Sequence, residues 1–142
     1  MNTVSNDDKK RLVSAIILAE ENTSGEIRVH IQKKLKGDIY KAAIKKFEKL
    51  GMTKTKLRNG VLVYIALQNR EFAIIGDIGI NEKVEDDFWD ETVEAMKKHF
   101  KQKDLIGGIE KGLEIAGNAL KRYFPHKDDD INELSNEISV ED

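Results

Sequence analysis

Seven consecutive residues without a charge, Val61 to Leu67, lie between Asn59-Gly60 and the polar break Gln68-Asn69-Arg70-Glu71. A run this short, rich in β-branched residues and punctuated at both ends, reads as a strand. Neither of its alternate sets of positions is polar, so neither face of the strand can meet water. The fold must therefore cover a sheet on both sides. A second apolar run, Phe72 to Ile75, follows the break, and the two together predict a β-hairpin.

The rest of the chain supplies the cover. Leu12, Ile16 and Ala19, with Val13 and Ile17 beside them, recur at helical spacing. Ser5 and Asp8 are placed to cap this first helix, and Asn22 to Gly25 to end it. Ile27, Val29 and Ile31 alternate with Arg28, His30 and Gln32, the period of a strand with one wetter face. Asp38 opens a second helix with Ile39, Ala43, Phe47 and Leu50 on its apolar side, and Gly51 stands at its stop. A loop carrying Lys54, Lys56 and Arg58 then leads into the central strand. Beyond the hairpin, Val84, Phe88, Trp89, Val93, Met96 and Phe100 mark a third helix. Asp104 caps a fourth, lined by Leu105, Ile109, Leu113, Ala116, Leu120 and Phe124 and closed by Pro125. Gly107, Gly108, Gly112 and Gly117 are unfavourable inside a helix, at up to about 1 kcal/mol each against Ala. They predict close packing on the sheet or on a neighbouring helix.

The order is helix, strand, helix, strand, strand, helix, helix. A right-handed crossover makes the first two strands parallel, and the hairpin adds the third antiparallel. These elements predict an α/β fold, a three-layer αβα sandwich whose small mixed sheet is covered by helices on both faces. Residues 1–126 form one domain, and residues 127–142 an acidic tail that is loose or draped over the surface. No repeat and no second domain is visible.

With 142 residues the chain can bury one core. It has no cysteine, which excludes disulfides, thiolate nucleophiles and Cys-ligated zinc. No apolar run approaches the roughly 20 residues of a membrane span, and the amino terminus is polar. The net charge of −2 divides into −6 from Lys127 to Asp142 and +4 over the rest. On these averages the expectation is a cytoplasmic protein without a nucleic-acid or membrane partner.

Chemistry concentrates where the second hairpin strand ends. Gly76-Asp77-Ile78-Gly79-Ile80-Asn81-Glu82 is followed by Glu85-Asp86-Asp87 and a helix. Hard cations such as calcium or magnesium take several oxygen ligands, and these carboxylates offer them beside a glycine-rich turn. The tail carboxylates of Asp128, Asp129 and Asp130 could fold back and add more. The alternative is that Asp86 and Asp87 cap the third helix. Hairpin geometry also sets Asp77 beside Asn59 and Gly60, within reach of Arg58 or Lys56, as an ion pair or as a metal site next to a phosphate. His30, His99 and His126 share no ligand spacing. Phosphate-loop, dinucleotide and nucleophile-elbow motifs are absent.

Taken in order, Thr23-Ser24-Gly25-Glu26-Ile27-Arg28-Val29, Asn59-Gly60-Val61-Leu62, Phe72 to Asp77 with Gly79-Ile80, Asp86-Asp87-Phe88-Trp89 and Gly108 resemble the TPM domain family, in particular its short soluble bacterial members. The resemblance covers roughly residues 10–125. It implies an αβα sandwich, and a link to metal binding and, in a plant thylakoid member, to acid phosphatase activity. The turn Asp77-Ile78-Gly79-Ile80-Asn81 departs from the family's usual form, with Asn81 standing where a Glu is common. Three readings follow: a calcium- or magnesium-binding domain with Asp77, Asp86, Asp87 and Asp129 as metal ligands; a metal-dependent phosphatase with Lys56 or Arg58 holding the phosphate; and an interaction module without catalysis.

Overall fold

A computed structural model describes residues 4–127 and 132–142. The elements run α1 (Asn6–Glu21), β1 (Glu26–Gln32), α2 (Ile39–Lys49), β2 (Gly60–Ala66), β3 (Glu71–Gly76), α3 (Ile78–Asn81), α4 (Asp90–Lys101), α5 (Leu105–Lys121) and β4 (Ser139–Glu141). The sheet order is β3-β2-β1-β4. β1 and β2 are parallel, in register from Glu26 opposite Gly60 to Gln32 opposite Ala66. β3 returns antiparallel, with Val61 opposite Gly76.

Every residue of β2 is buried, as an apolar run between two layers requires. Its odd positions, Val61, Val63 and Ile65, join Ile27, Val29 and Ile31 of β1 in the larger core. There they meet Leu12 and Ile16 of α1, Met96 of α4, and Ile109, Leu113 and Leu120 of α5. Its even positions, Leu62, Tyr64 and Ala66, face α2 through Ile39, Ala43 and Phe47. The three-layer sandwich is thus present, with unequal layers. Among the described residues α2 is the only helix on its side.

Local chemistry sets the boundaries. Ser5 and Asp8 form the reciprocal capping box of α1, each side chain taking the other's amide at 3.0 Å. Asp38 caps α2 through the Lys41 amide, and Asp104 caps α5 through the Gly107 amide. Gly108, Gly112 and Gly117 pack against helices, not the sheet, and Gly107 against its own cap, Asp104. A Cβ on Gly112 would overlap Met96 of α4, and one on Gly117 would lie 3.0 Å from the Ala19 carbonyl of α1.

Two elements differ from the sequence expectation. The third predicted helix begins later, at Asp90, because Val84 to Trp89 run as turns that follow the single-turn α3. The end of the acidic tail is not loose: Ser139–Glu141 pairs in parallel with His30–Gln32 and becomes the edge strand. Three residues with one apolar member carry too little periodicity to announce a strand. Its anchors come from β1 and α2: His30 Nδ1 lies 2.8 Å from Ser139 Oγ, Lys33 N donates to the Glu141 carbonyl, and Lys46 pairs with the Glu141 carboxylate.

Replacing Gly117 with Val would force α5 away from the α1 backbone. It is expected to lower stability by about 1–3 kcal/mol, read as a fall in the urea midpoint at unchanged m-value.

Candidate functional site at one end of the sheet

β1 and β2 begin, and β3 finishes, at the same end of the molecule. Glu26 stands opposite Gly60, and the Asp77 amide donates to the Gly60 carbonyl at 2.9 Å. Gly60 has no side chain, and the loop from Met52 to Asn59 closes over it; a Cβ there would lie 3.0 Å from the Met52 carbonyl. An acidic group holds each flank of that loop.

On one flank Arg58 forks onto Asp77. Nε reaches Oδ2 at 2.7 Å and Nη2 reaches Oδ1 at 2.8 Å. Oδ1 also accepts from the Ile78 amide at 2.8 Å, so the carboxylate caps α3. Asp77 is 6% exposed while the Arg58 side chain is 46% exposed. Arg58 has φ of 51°, a left-handed conformation unfavourable for a residue with a Cβ. Its carbonyl accepts from the Gly79 amide at 2.9 Å. Gly79 permits this closeness, since a Cβ there would overlap the Leu57 and Arg58 carbonyl oxygens. The proximity of Asp77 to Arg58 expected from the hairpin is therefore present as a bidentate pair.

On the other flank the tail meets β1. The Glu133 carboxylate accepts from the Lys56 amide at 3.1 Å, and Glu26 Oε1 accepts from the Leu134 amide at 2.6 Å. Glu26 is 4% exposed, and its Oε2 is buried without a hydrogen-bond partner. Burial pushes this carboxyl up to about 7, and the neighbouring Glu133 adds to the rise. Sequence reasoning missed this pair. Glu26 lies between Gly25 and Ile27 and reads as an ordinary outward-facing strand residue; its burial comes from a segment 108 residues further on.

The other candidates are dispersed. Asp86 and Asp87 are exposed in the turns before α4. They do not cap that helix, whose first turn follows Trp89 without a side-chain cap. Asp129 lies outside the described residues. Among the described residues, no three Asp, Glu or His side chains come close enough to enclose a metal ion. As placed, Asp77 does not fit a metal, because the guanidinium and the Ile78 amide occupy both its oxygens. Glu26 differs from it in keeping one buried oxygen, Oε2, without a hydrogen-bond partner.

The histidines divide by role. His30 is fully buried against Tyr64, with Nε2 2.8 Å from Gln32 Oε1. Burial lowers its pKa, with Lys46 and Arg28 acting in the same direction and Gln32 and Glu141 opposing. His99 lies 3.0 Å from Asp104 at the junction of α4 and α5.

A mixed four-stranded sheet between unequal helical layers, with an acid-rimmed loop over one end, defines a three-layer α/β domain. The profile of the TPM domain matches residues 1–119, and the chain belongs to that family. It is similar to the BA42 protein of the psychrophilic bacterium Bizionia argentinensis, whose NMR structure shares 48% identity at a TM-score of 0.92, over 97% of this chain and 95% of that one. Two further solution structures share the fold at lower identity. The N-terminal domain of cg2496 from Corynebacterium glutamicum is 16% identical at a TM-score of 0.66, over 96% of this chain and 80% of that one. The N-terminal domain of a P. gingivalis protein is 17% identical at 0.69, over 87% and 81%. No curated protein matches the chain. Among the described residues no helix is long and apolar enough to cross a membrane.

Two outcomes follow. Gly79→Ala is expected to cost about 1–3 kcal/mol, because backbone and not a flexible side chain must yield; urea unfolding measures it. The pH dependence has a definite sign. Glu20, whose Oε2 accepts from the Ile27 amide, is raised by burial to about 7, as is Glu26, both from an ordinary value of 4.5. Between those values the native state holds more protons than the unfolded chain, so stability falls as pH rises and levels off above about 7. Glu20→Gln keeps the acceptor and should flatten that decline in urea midpoints measured across the window.

Proposed function

We propose that this TPM domain binds a divalent cation, calcium or magnesium, at the sheet end, with Glu26 and Glu133 as its first carboxylate ligands. The observation that carries the reading is Glu26 Oε2, a buried oxygen with no partner beside a second carboxylate. Two carboxylates in this position repel unless a proton or a cation lies between them. A divalent cation takes oxygen ligands and completes its shell with water, and Glu133 is exposed on the solvent side. Bound there, it would neutralise the pair and tie the tail to β1.

The acidic connection after β3 takes part on different terms. Asp86 and Asp87 are exposed and open to a cation. Asp77 joins only after Arg58 releases it, which the half-exposed guanidinium permits. Asp129, four residues before Glu133 in the chain, is proposed as a further ligand. No observation favours the phosphatase reading. Of its two candidates for the phosphate clamp, Lys56 and Arg58, the fork of Arg58 is engaged by Asp77.

The test is a thermal melt of metal-stripped protein at pH 8, with and without millimolar calcium or magnesium. At ten times the dissociation constant the expected gain is about 1.4 kcal/mol. The gain should be smaller at pH 6, where the proton on Glu26 competes. Glu26→Gln should raise the melting temperature of the metal-free protein at pH 8, by removing an unpaired buried charge, and should abolish the response to metal. An unchanged wild-type melt at every metal concentration would overturn cation binding. A response that survives Glu26→Gln but is lost in the Asp86→Asn, Asp87→Asn double variant would move the site to the connection after β3.

A further inference from the structure

The layer containing α2 has a charge the chain totals conceal. Residues 33–58 hold ten basic and two acidic side chains, a net of +8 in a protein whose sum is −2. Lys41, Lys45 and Lys49 recur every fourth residue and are exposed, which puts them in one row along the outer side of α2. Among the described residues none of the three makes an ion pair. Beside that row stand Tyr40, 58% exposed, and Ile44, 50% exposed, one turn apart on the same helix. The inner side of α2 is fully used by the core through Ile39, Ala43 and Phe47. Tyr40 and Ile44 are therefore surplus to the packing of this domain.

We propose that the outer face of α2 is a docking surface for an anionic lipid bilayer. A row of lysines gains from the negative surface potential of acidic headgroups, and that gain is strongest within a Debye length of the surface. Tyrosine and isoleucine beside the row gain separately, by entering the boundary between headgroups and acyl chains. A nucleic-acid backbone would satisfy the lysines and offer nothing to Ile44. Acidic groups already seat on this layer within the chain itself: the tail places Glu141 on Lys46 and Glu133 on the Lys56 amide. They occupy its flank, where Lys46 and then Lys49 hold the Glu141 carboxyl below its usual range, and leave Lys41 and Lys45 open. Two exposed apolar side chains give weak attachment alone, so charge and insertion must act together, and binding is reversible and sensitive to salt.

The experiment is co-sedimentation of the full chain with vesicles of phosphatidylcholine, alone or with phosphatidylglycerol, at low and high salt. Binding is expected to the anionic vesicles only, and to fall steeply with added salt. Lys41→Glu with Lys45→Glu should weaken it by more than about tenfold. Tyr40→Ser with Ile44→Ser should weaken it severalfold at constant charge. All four positions are exposed, and unchanged melting temperatures confirm that the variants fold. Absence of binding to anionic vesicles at low salt overturns the proposal. So does binding that ignores the lysine changes, or binding to a DNA duplex that exceeds vesicle binding and ignores Tyr40 and Ile44.

Discussion

The burial of β2 on both faces is the constraint from which the rest of this architecture follows. A strand with Val61, Val63 and Ile65 on one side and Leu62, Tyr64 and Ala66 on the other needs two apolar layers, and the chain must supply both. It does so unevenly. α1, α4 and α5 close one face, while α2 alone closes the second. On that thinner side the margins of the sheet are covered by loops and by the returning tail, and there the polar groups become buried. Asp77, Glu26 and His30 are all enclosed at the edges of an incomplete layer.

That unevenness explains why the acidic groups at the sheet end differ so much in character. Asp77 is buried with a fixed cationic partner and two further constraints on the same loop, the left-handed Arg58 and the close approach of Gly79. Removing Arg58 from such a pair leaves the buried Asp77 charge in a poor environment. Glu26 is buried with an amide on one oxygen and a carboxylate for a neighbour, an arrangement that stays relaxed only while a positive charge is shared. One flank of the loop is therefore closed by an ion pair, and the other by two neighbouring carboxyl groups, one of them pushed up to about 7 by burial.

Much of the fold was legible because its signals are dense. The alternation in Ile27–Ile31, the two-sided run of β2, and the helical spacing of Leu12–Ile16–Ala19 and Ile109–Leu113–Leu120 each repeat several times within one element. The Asp77–Arg58 pair was legible as well, because hairpin geometry sets the end of β3 beside the start of β2. The remaining features depend on contacts that no local pattern encodes. β4 is three residues long, and Glu26 is buried by a segment 108 residues away. The basic layer escaped notice for a different reason. Charge averaged over residues 1–126 comes to only +4, since acidic residues on α1 and around α4 offset the lysines near α2. Only the layer structure shows that ten of the basic side chains, residues 33–58, collect around α2.

The edge position of β4 also bears on how the protein is made. Ser139–Glu141 are synthesised long after β1, yet they pair with it. Until β4 has been made, β1 must present an open edge, and an open edge is a template for pairing with other chains. The structure carries its own guard against that interval. Glu20, only seven residues before Ile27, caps the Ile27 amide from the end of α1, so part of the edge is shielded by a neighbour in sequence long before the tail exists. Final closure belongs to β4, 109 residues beyond the β1 position it pairs with, and the sheet acquires this edge strand only after the intervening helices have been made.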